Sequence, residues 1–393
     1  MDFNQIIDRT GTQCCKWDAQ ECYQNGGVIP MWVADMDLPA PDEVVEALKK
    51  RAEHPIYGYP HDDGSFAKIL QQWILKRHGW LVDTSHIISS PSVLTSMAIF
   101  IHAVSEPGDE IIIMSPVYYP FTDYIVNNDR RVRRCSLICE DGKYQIDYEE
   151  LEKSAARKRV KALLLCNPHN PVGKVYTRSE LEKVAEICIR NEIFVFADEI
   201  HSDLIMPGYH HTPFANLSPE VEQITVTGYS MAKTFNLAGL QTSAVVVSND
   251  KLRDKLLGFR RAWGLFNVNN FALVAFETAF QYGENYVDEL TAYLAKNRDF
   301  VVSFLKEKLP MLKCSELQGT YLMWIDCSGL TMTDEELAVF FKEKAGLALD
   351  EGVLFGPGGE QHMRMNIGCP RSRLEEAMKR LETAVKRSER NDG

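Results

Sequence analysis

Lys233 lies just after a β-branched run and three residues after Ser230. A lysine amine in a partly desolvated place loses its proton readily and can then form a Schiff base with an aldehyde. The small residues Ala232, Ala238 and Gly239 are compatible with such a place, and the Ser230 hydroxyl could bind a phosphate oxygen. The pattern indicates a lysine that holds pyridoxal phosphate. The alternative is a surface lysine in the first turn of a helix.

A second segment places a side-chain amide directly after a predicted strand. Residues 160–166 are almost all apolar, which is typical of a parallel strand that is buried on both faces. Residues 167–173 contain two Asn-Pro pairs and a glycine, which end the strand in a rigid loop. Asn170 in this loop could donate its amide to a phenolic oxygen. A plain turn without a ligand is the alternative.

A third segment ends a predicted strand in two carboxylates. The apolar and aromatic run 193–197 is followed by Asp198 and Glu199. Open α/β sheets bind ligands at the carboxyl ends of their strands, where an aspartate could keep a pyridine nitrogen protonated. The alternatives are a helix-capping aspartate and a metal site. The candidate ligands of that metal site are Asp198, Glu199, His201, His210 and His211.

A fourth predicted strand, 111–114, breaks at a proline and is followed by the aromatic pair Tyr118 and Tyr119. A tyrosine at this point can stack on a flat heteroaromatic ring. Ordinary core or interface packing is the alternative. Four strand ends therefore supply an aromatic ring, an amide, a carboxylate and a lysine.

These strand ends and a later arginine resemble the fold-type I enzymes that use pyridoxal phosphate, the aspartate aminotransferase superfamily. The resemblance covers essentially the whole chain, and the residues that carry it are Tyr118, Asn170, Asp198, Lys233 and Arg364. It implies that Lys233 forms the Schiff base and moves protons during catalysis. It also implies that Asp198 binds the pyridine nitrogen, that Asn170 binds the phenolic oxygen and that Tyr118 stacks on the ring. Arg364 would bind the substrate α-carboxylate through a bidentate fork.

The resemblance also indicates where the cofactor phosphate would bind. Residues 90–96 form a polar turn before a predicted helix, and the amides at a helix N-terminus bind anions. The cofactor-binding residues expected there are Ser92, Val93 and Leu94. The arginine that the superfamily usually carries eight residues after the lysine is Gln241 here. The phosphate would therefore depend on backbone amides, Ser230 and Tyr59.

Further segments resemble the cystathionine β-lyase-like carbon–sulfur lyases, a group that includes the maltose-regulon modulator protein. These segments are 9–18, 30–37, 57–59, 198–203 and 366–371. His201 stands where many aminotransferases of the superfamily carry a tyrosine, and an imidazole there would tune the cofactor differently from a phenol. By the same resemblance Tyr59 reaches the phosphate of a neighbouring subunit. A homodimer with shared active sites is therefore expected.

The resemblance predicts a carbon–sulfur β-lyase that acts on L-cystathionine, L-cysteine or related S-substituted cysteines. An aminotransferase is the alternative, because the same residues can serve both reactions. A regulatory binding protein with secondary lyase activity is a further alternative.

Composition bounds these expectations. The chain has 393 residues, of which 45% are hydrophobic and 25% charged, as in globular proteins. Its net charge of −12 argues against nucleic-acid binding, so we interpret the basic run 130–134 as a solvated face. Ten cysteines without metal-type spacing predict a reduced, cytoplasmic protein. We expect no metal, no signal peptide and no membrane association.

Strand patterns alternate with helical ones from about residue 45 to 285, which predicts an α/β fold with a mostly parallel central sheet flanked by helices. Residues 45–285 would form a large domain that binds pyridoxal phosphate. Residues 286–393 would form a small α+β domain, and residues 1–44 an N-terminal arm that joins part of it. Helical patterns are predicted over 178–190, 270–305 and 334–344.

Overall fold

The computed structural model describes residues 1–19, 27–266 and 268–391 of the chain. A central sheet of seven strands organises the described residues, in the order β2-β10-β9-β8-β7-β3-β4. The strand bounds are Ile87–Ser90 (β2), Glu110–Ile113 (β3), Arg131–Arg134 (β4), Val160–Cys166 (β7), Phe194–Asp198 (β8), Thr225–Tyr229 (β9) and Ser243–Val246 (β10). Strand β10 is antiparallel to both of its neighbours, and the other adjacent pairs are parallel. The predicted α/β fold with a mostly parallel sheet is confirmed.

The order of the parallel strands decides where the functional residues lie. Strands β9, β8, β7 and β3 are successive neighbours, so their carboxyl ends lie along one edge of the sheet. Strand β7 has the predicted bounds and is buried along almost its whole length. Such burial explains its continuous apolar sequence, because helices cover both faces of a parallel sheet.

Helices surround the sheet and connect its strands. Their bounds are Cys15–Asp18 (α1), Asp42–Glu53 (α2), Ser65–His78 (α3), Val93–Val104 (α4), Pro120–Val126 (α5), Tyr148–Ala155 (α6), Arg178–Arg190 (α7), Pro219–Ile224 (α8), Met231–Thr234 (α9), Asp250–Ala262 (α10), Asn270–Tyr282 (α11), Glu284–Lys308 (α12), Asp334–Val339 (α13) and Arg371–Asn391 (α14). Helix α7 has the predicted bounds and begins with a capping box between Thr177 and Glu180. None of the helices in the described residues is both long and apolar enough to cross a membrane.

Two helical predictions need correction. The stretch 270–305 is two helices, α11 and α12, separated by Gly283. A Cβ atom at position 283 would lie 2.3 Å from the Phe235 ring, so close packing there requires glycine. The helix predicted over 334–344 changes at Phe340 into a π-helical turn that extends to Lys344.

A smaller antiparallel sheet follows the central one in sequence, with the order β11-β12-β15-β14. Its strands are Lys313–Cys314 (β11), Leu322–Asp326 (β12), Asp350–Glu351 (β14) and His362–Asn366 (β15). Two short pairs complete the strands: Ile29–Pro30 (β1) lies parallel to Leu347–Ala348 (β13), and Ile138–Glu140 (β5) lies antiparallel to Lys143–Gln145 (β6). The domain limits at residues 44 and 285 remain a prediction.

Candidate active site

A cavity of about 230 Å³ lies at the carboxyl ends of the parallel strands. Its lining includes most of the residues that the sequence predicts to bind a cofactor. These are Ser92, Val93, Leu94, Tyr118, Asn170, Asp198, His201, Ser230 and Lys233. The structure therefore brings together side chains from segments that are far apart in sequence.

Lys233 lies in the short helix α9, directly after β9. Its Nζ donates a hydrogen bond of 2.7 Å to the backbone oxygen of Ala34. Burial lowers the pKa of the Lys233 amine to about 8, and the nearby Arg364 cation contributes in the same direction. A neutral amine is therefore much more accessible here than on an ordinary lysine, as nucleophilic attack on an aldehyde requires.

The loop that carries Ala34 is held by ion pairs that the sequence reasoning missed. Arg9 contacts Asp35 at 2.8 Å and Asp37 at 2.7 Å, and the buried Lys16 contacts Asp37 at 3.0 Å. Arg9 and Lys16 both lie in the segment 9–18 noted above, but the sequence of that segment does not reveal their acidic partners. The pairs fix the N-terminal segment against the wall of the cavity that faces Lys233.

Asp198 ends strand β8 and is 5% exposed. Its Oδ1 accepts a hydrogen bond of 3.2 Å from the backbone amide of Ile200. Burial raises the pKa of the Asp198 carboxyl to about 6, while the Ile200 amide and the Lys233 cation oppose that rise. The carboxyl is therefore mostly ionised at neutral pH and faces the cavity as an anion.

His201 is buried, and its Nδ1 has no hydrogen-bond partner. Burial lowers the pKa of the imidazole well below its ordinary value, and the cations Lys233 and Arg364 act in the same direction. The ring is therefore neutral at physiological pH. It lies in edge contact with Tyr321, with 5.9 Å between the ring centroids.

Tyr118 and Asn170 line the cavity, and Arg364 contacts Asn170 without contributing to the lining. The backbone amide of Tyr118 donates to the backbone oxygen of Asn170 at 3.0 Å, and Arg364 Nη1 donates to the side-chain Oδ1 of Asn170 at 3.0 Å. Arg364 comes from strand β15 of the smaller sheet and is 2% exposed. Burial strongly raises the pKa of the Tyr118 phenol, so this ring is neutral.

The predicted phosphate-binding end contains a residue that the sequence analysis did not identify. Ser92 caps α4 by accepting a 3.0 Å hydrogen bond from Thr95, and Ser230 donates to the Thr242 backbone oxygen at 2.8 Å. The Thr242 hydroxyl is buried without a partner, and Thr242 lines the cavity beside Gln241. Thr242 directly follows Gln241, which stands where the superfamily usually has an arginine. This adjacency is the sequence feature that could have identified Thr242.

Tyr59 and Glu199 also lie outside the cavity lining. Tyr59 is 97% exposed and does not contribute to the cavity of its own chain. Glu199 is fully buried and accepts from Tyr229 Oη at 2.8 Å and from His211 Nε2 at 3.1 Å. Within the described parts of the chain, no three His, Cys, Asp or Glu side chains converge as a metal site would require.

Pyridoxal phosphate fits the residues of this cavity. Two buried polar atoms in its lining, His201 Nδ1 and Thr242 Oγ1, have no protein partner and could bind polar groups of a ligand. The amine of Lys233, the carboxylate of Asp198 and the ring of Tyr118 match the aldehyde, the pyridine nitrogen and the aromatic face of this cofactor.

The sequence and the fold are both similar to those of known proteins. Residues 27–381 match the family model "Aminotransferase class I and II". The chain is 39% identical to the cystathionine beta-lyase PatB of Bacillus subtilis over 386 residues, which cover 98% of this chain and all of that protein. It is 31% identical to the protein MalY of Escherichia coli, with 98% and 99% of the two chains covered. The crystal structure of cystalysin from Treponema denticola, which contains pyridoxal 5'-phosphate, matches with a TM-score of 0.96 and 35% identity over 98% of this chain and 99% of the other.

The Thr242 hydroxyl can be tested by a shape-conserving substitution. Thr242→Val should raise the dissociation constant for pyridoxal phosphate about tenfold, because a hydrogen bond to a charged group is lost. Equilibrium dialysis of the cofactor measures this constant. Thr227→Val is the matched control, since its hydroxyl is also buried without a partner but lies outside the cavity lining. Equal weakening by both variants, or none by Thr242→Val, would contradict the assignment.

The lowered pKa of Lys233 predicts how cofactor attachment depends on pH. Only the neutral amine attacks an aldehyde, so the attachment rate should rise about tenfold per pH unit below the pKa and level off above it. The midpoint should lie at about pH 8 rather than near the ordinary lysine value of 10.5. Borohydride trapping of the protein–cofactor bond at increasing times gives this rate. A rate that keeps rising up to the ordinary value would show that the amine is not desolvated.

Proposed function

The chain belongs to the class I and II aminotransferase family, with a fold-type I architecture, and we propose that it is a pyridoxal-phosphate-dependent carbon–sulfur β-lyase. Its substrates are L-cystathionine, L-cysteine or related S-substituted cysteines, and its products are a thiol, pyruvate and ammonia. The observation that carries this proposal is the convergence of the Lys233 amine and the Asp198 carboxylate on one cavity. The likeness to PatB supports the choice of a sulfur amino acid.

Different residues of the cavity would bind different parts of the cofactor. Lys233 would hold it covalently, and the Asp198 carboxylate would keep a proton on its pyridine nitrogen. Tyr118 would pack on the ring, and Asn170 and His201 line the same cavity. The amides at the start of α4, with the hydroxyl groups of Ser92, Ser230 and Thr242, would bind the phosphate. Bound pyridoxal phosphate supplies an electron sink for the electrons left at the substrate α-carbon.

Arg364 binds the substrate α-carboxylate and thereby orients the α-carbon toward Lys233. The substrate amine would replace Lys233 on the cofactor and so release the lysine amine. The freed Lys233 Nζ would then remove the α-proton, and its lowered pKa suits a group that must accept a proton near neutral pH. The bond between the β-carbon and sulfur then breaks, and the sulfur leaves with the bonding electrons as a thiolate. The Lys233 amine would then displace the remaining 2-aminoacrylate, which takes up water and yields pyruvate and ammonia.

The active unit in this proposal is a homodimer with shared sites. Ile56, Tyr57 and Tyr59 are 68%, 56% and 97% exposed on the isolated chain, and exposed apolar groups of this kind mark association surfaces. Gly58 is held by a 2.6 Å hydrogen bond from Asn270, so the segment has a defined position from which Tyr59 can reach a partner. Gln241 lacks the charge of the usual arginine, and a hydroxyl donated by a partner would compensate in part.

The proposed location is the cytoplasm. The cysteines in the described residues are free thiols, including the exposed Cys15 and Cys139. Free and exposed thiols favour a reducing compartment.

The lyase reaction is tested with purified, cofactor-loaded protein and L-cystathionine in the absence of a keto acid. Pyruvate and thiol should accumulate in equal amounts over many turnovers, because elimination regenerates the cofactor. Lys233→Ala should lower the turnover number by several orders of magnitude and lose the borohydride-reducible bond. Accumulation of pyridoxamine phosphate without pyruvate would instead identify an aminotransferase. A reducible bond that persists in Lys233→Ala would remove this lysine from the site.

Shared sites predict that two inactive variants restore activity when they are mixed. In a dimer of Tyr59→Phe with Lys233→Ala, one site carries both changes and the other carries neither. After subunit exchange, up to half of the activity of one normal dimer should return, provided that Tyr59→Phe alone is sufficiently impaired. Native mass spectrometry verifies the exchange. Exchanged dimers without recovered activity, or a fully active monomer at assay concentration, would disprove shared sites.

A further inference from the structure

Arg364 already has a carboxylate partner within its own chain. Its Nη2 donates to Asp350 Oδ2 and, at 2.9 Å, to the backbone oxygen of Trp32. Its Nη1 donates to Asn170 Oδ1 at 3.0 Å, whereas its buried Nε has no partner. Asp350 and Arg364 are directly paired across strands β14 and β15, and both are buried. The guanidinium is thus compensated by a side chain of the protein.

These contacts limit how a second carboxylate can bind. A guanidinium offers two bidentate forks, one from Nη1 and Nη2 and one from Nε and Nη2. Both forks require a proton of Nη2, and the two acceptors Asp350 and Trp32 engage both of those protons. A substrate α-carboxylate can therefore bind Arg364 through a fork only when one of these acceptors gives way.

Asp350 is the acceptor that can move. The Trp32 oxygen belongs to backbone that is fixed on both sides, because Met31 is paired with Ala348 and the Val33 oxygen accepts from Asn366. Asp350 contacts Arg364 through a side chain, which can leave by rotation about its own torsion angles.

Arg364 itself would remain in place during this exchange. Its guanidinium lies over the Phe355 ring at 4.9 Å and keeps its contacts with Trp32 and Asn170. Phe355 packs in turn against Trp324, with 5.4 Å between the ring centroids. The arginine is therefore positioned for a carboxylate whether or not Asp350 is its partner.

We propose that Asp350 is an internal competitor for the substrate carboxylate, so that exchange of Asp350 for the α-carboxylate on Arg364 sets the Michaelis constant. This inference rests on the role of Arg364 in the proposed function. Burial raises the pKa of the Asp350 carboxyl against the opposing effect of Arg364, which agrees with a carboxylate in a poorly solvated place. The pair neutralises a buried cation in the absence of substrate, and substrate binding must overcome it.

Asp350→Asn tests the competition, because it keeps the shape of the side chain and removes its charge. KM for cysteine-type substrates should fall about tenfold, since a charge-assisted hydrogen bond no longer has to be exchanged. The turnover number should change much less than KM. Titration calorimetry with propionate, an inert carboxylate, on the cofactor-loaded protein should show a similar fall in the dissociation constant. Asp350→Ser, which also removes the charge, provides a second variant if the first does not fold.

Glu351→Gln is the matched control, because it removes the same charge from the next residue, which is exposed. It should leave KM and propionate binding unchanged. A KM that rises or stays constant in both Asp350 variants would overturn the proposal, as would an equal effect of Glu351→Gln.

Arg364→Ala separates this failure from failure of the proposed function. If Arg364→Ala abolishes propionate binding while the Asp350 variants leave it unchanged, only the competition is wrong. If Arg364→Ala also has no effect, the assignment of Arg364 is wrong as well.

Discussion

The parallel alignment of four neighbouring strands is the constraint on which the site depends. Strands β3, β7, β8 and β9 end at one edge of the sheet, and the residues that follow them must share the space beyond that edge. The strands are almost wholly buried, so their ends are held rigidly by the core. Side chains that interact with a cofactor are therefore positioned by the sheet rather than by flexible loops.

The charges in the site follow from this burial. Burial and the nearby Arg364 cation lower the pKa of the Lys233 amine, and burial together with Lys233 and Arg364 keeps the His201 imidazole neutral. Asp198 and Asp350 provide carboxylates opposite these cations, and burial raises the pKa of both. The balance leaves an amine that can lose its proton and an anion that faces the cavity, which is the combination that pyridoxal phosphate chemistry requires.

Sequence patterns predicted the parts of the structure that depend on local chemistry. The bounds of β7 and helix α7 followed from apolar runs and periodicity, and Tyr118, Asn170, Asp198 and Lys233 were found because each lies next to a strand end. The break at Gly283 was missed because it depends on the ring of Phe235, which follows helix α9 and is distant in sequence. The Arg9–Asp37 pair and the Asp350–Arg364 pair were missed for the same reason: a charge pattern does not identify partners that only the fold brings together.

The central claim is that these strand ends bind one molecule of pyridoxal phosphate through Lys233. A crystal structure of the protein grown with the cofactor tests it most directly. The account predicts continuous density between Lys233 Nζ and the cofactor, with the Asp198 carboxylate at the pyridine nitrogen and the Thr242 hydroxyl at the phosphate. Density for the cofactor at another lysine, or in this cavity with Asp198 turned away from the ring nitrogen, would contradict it.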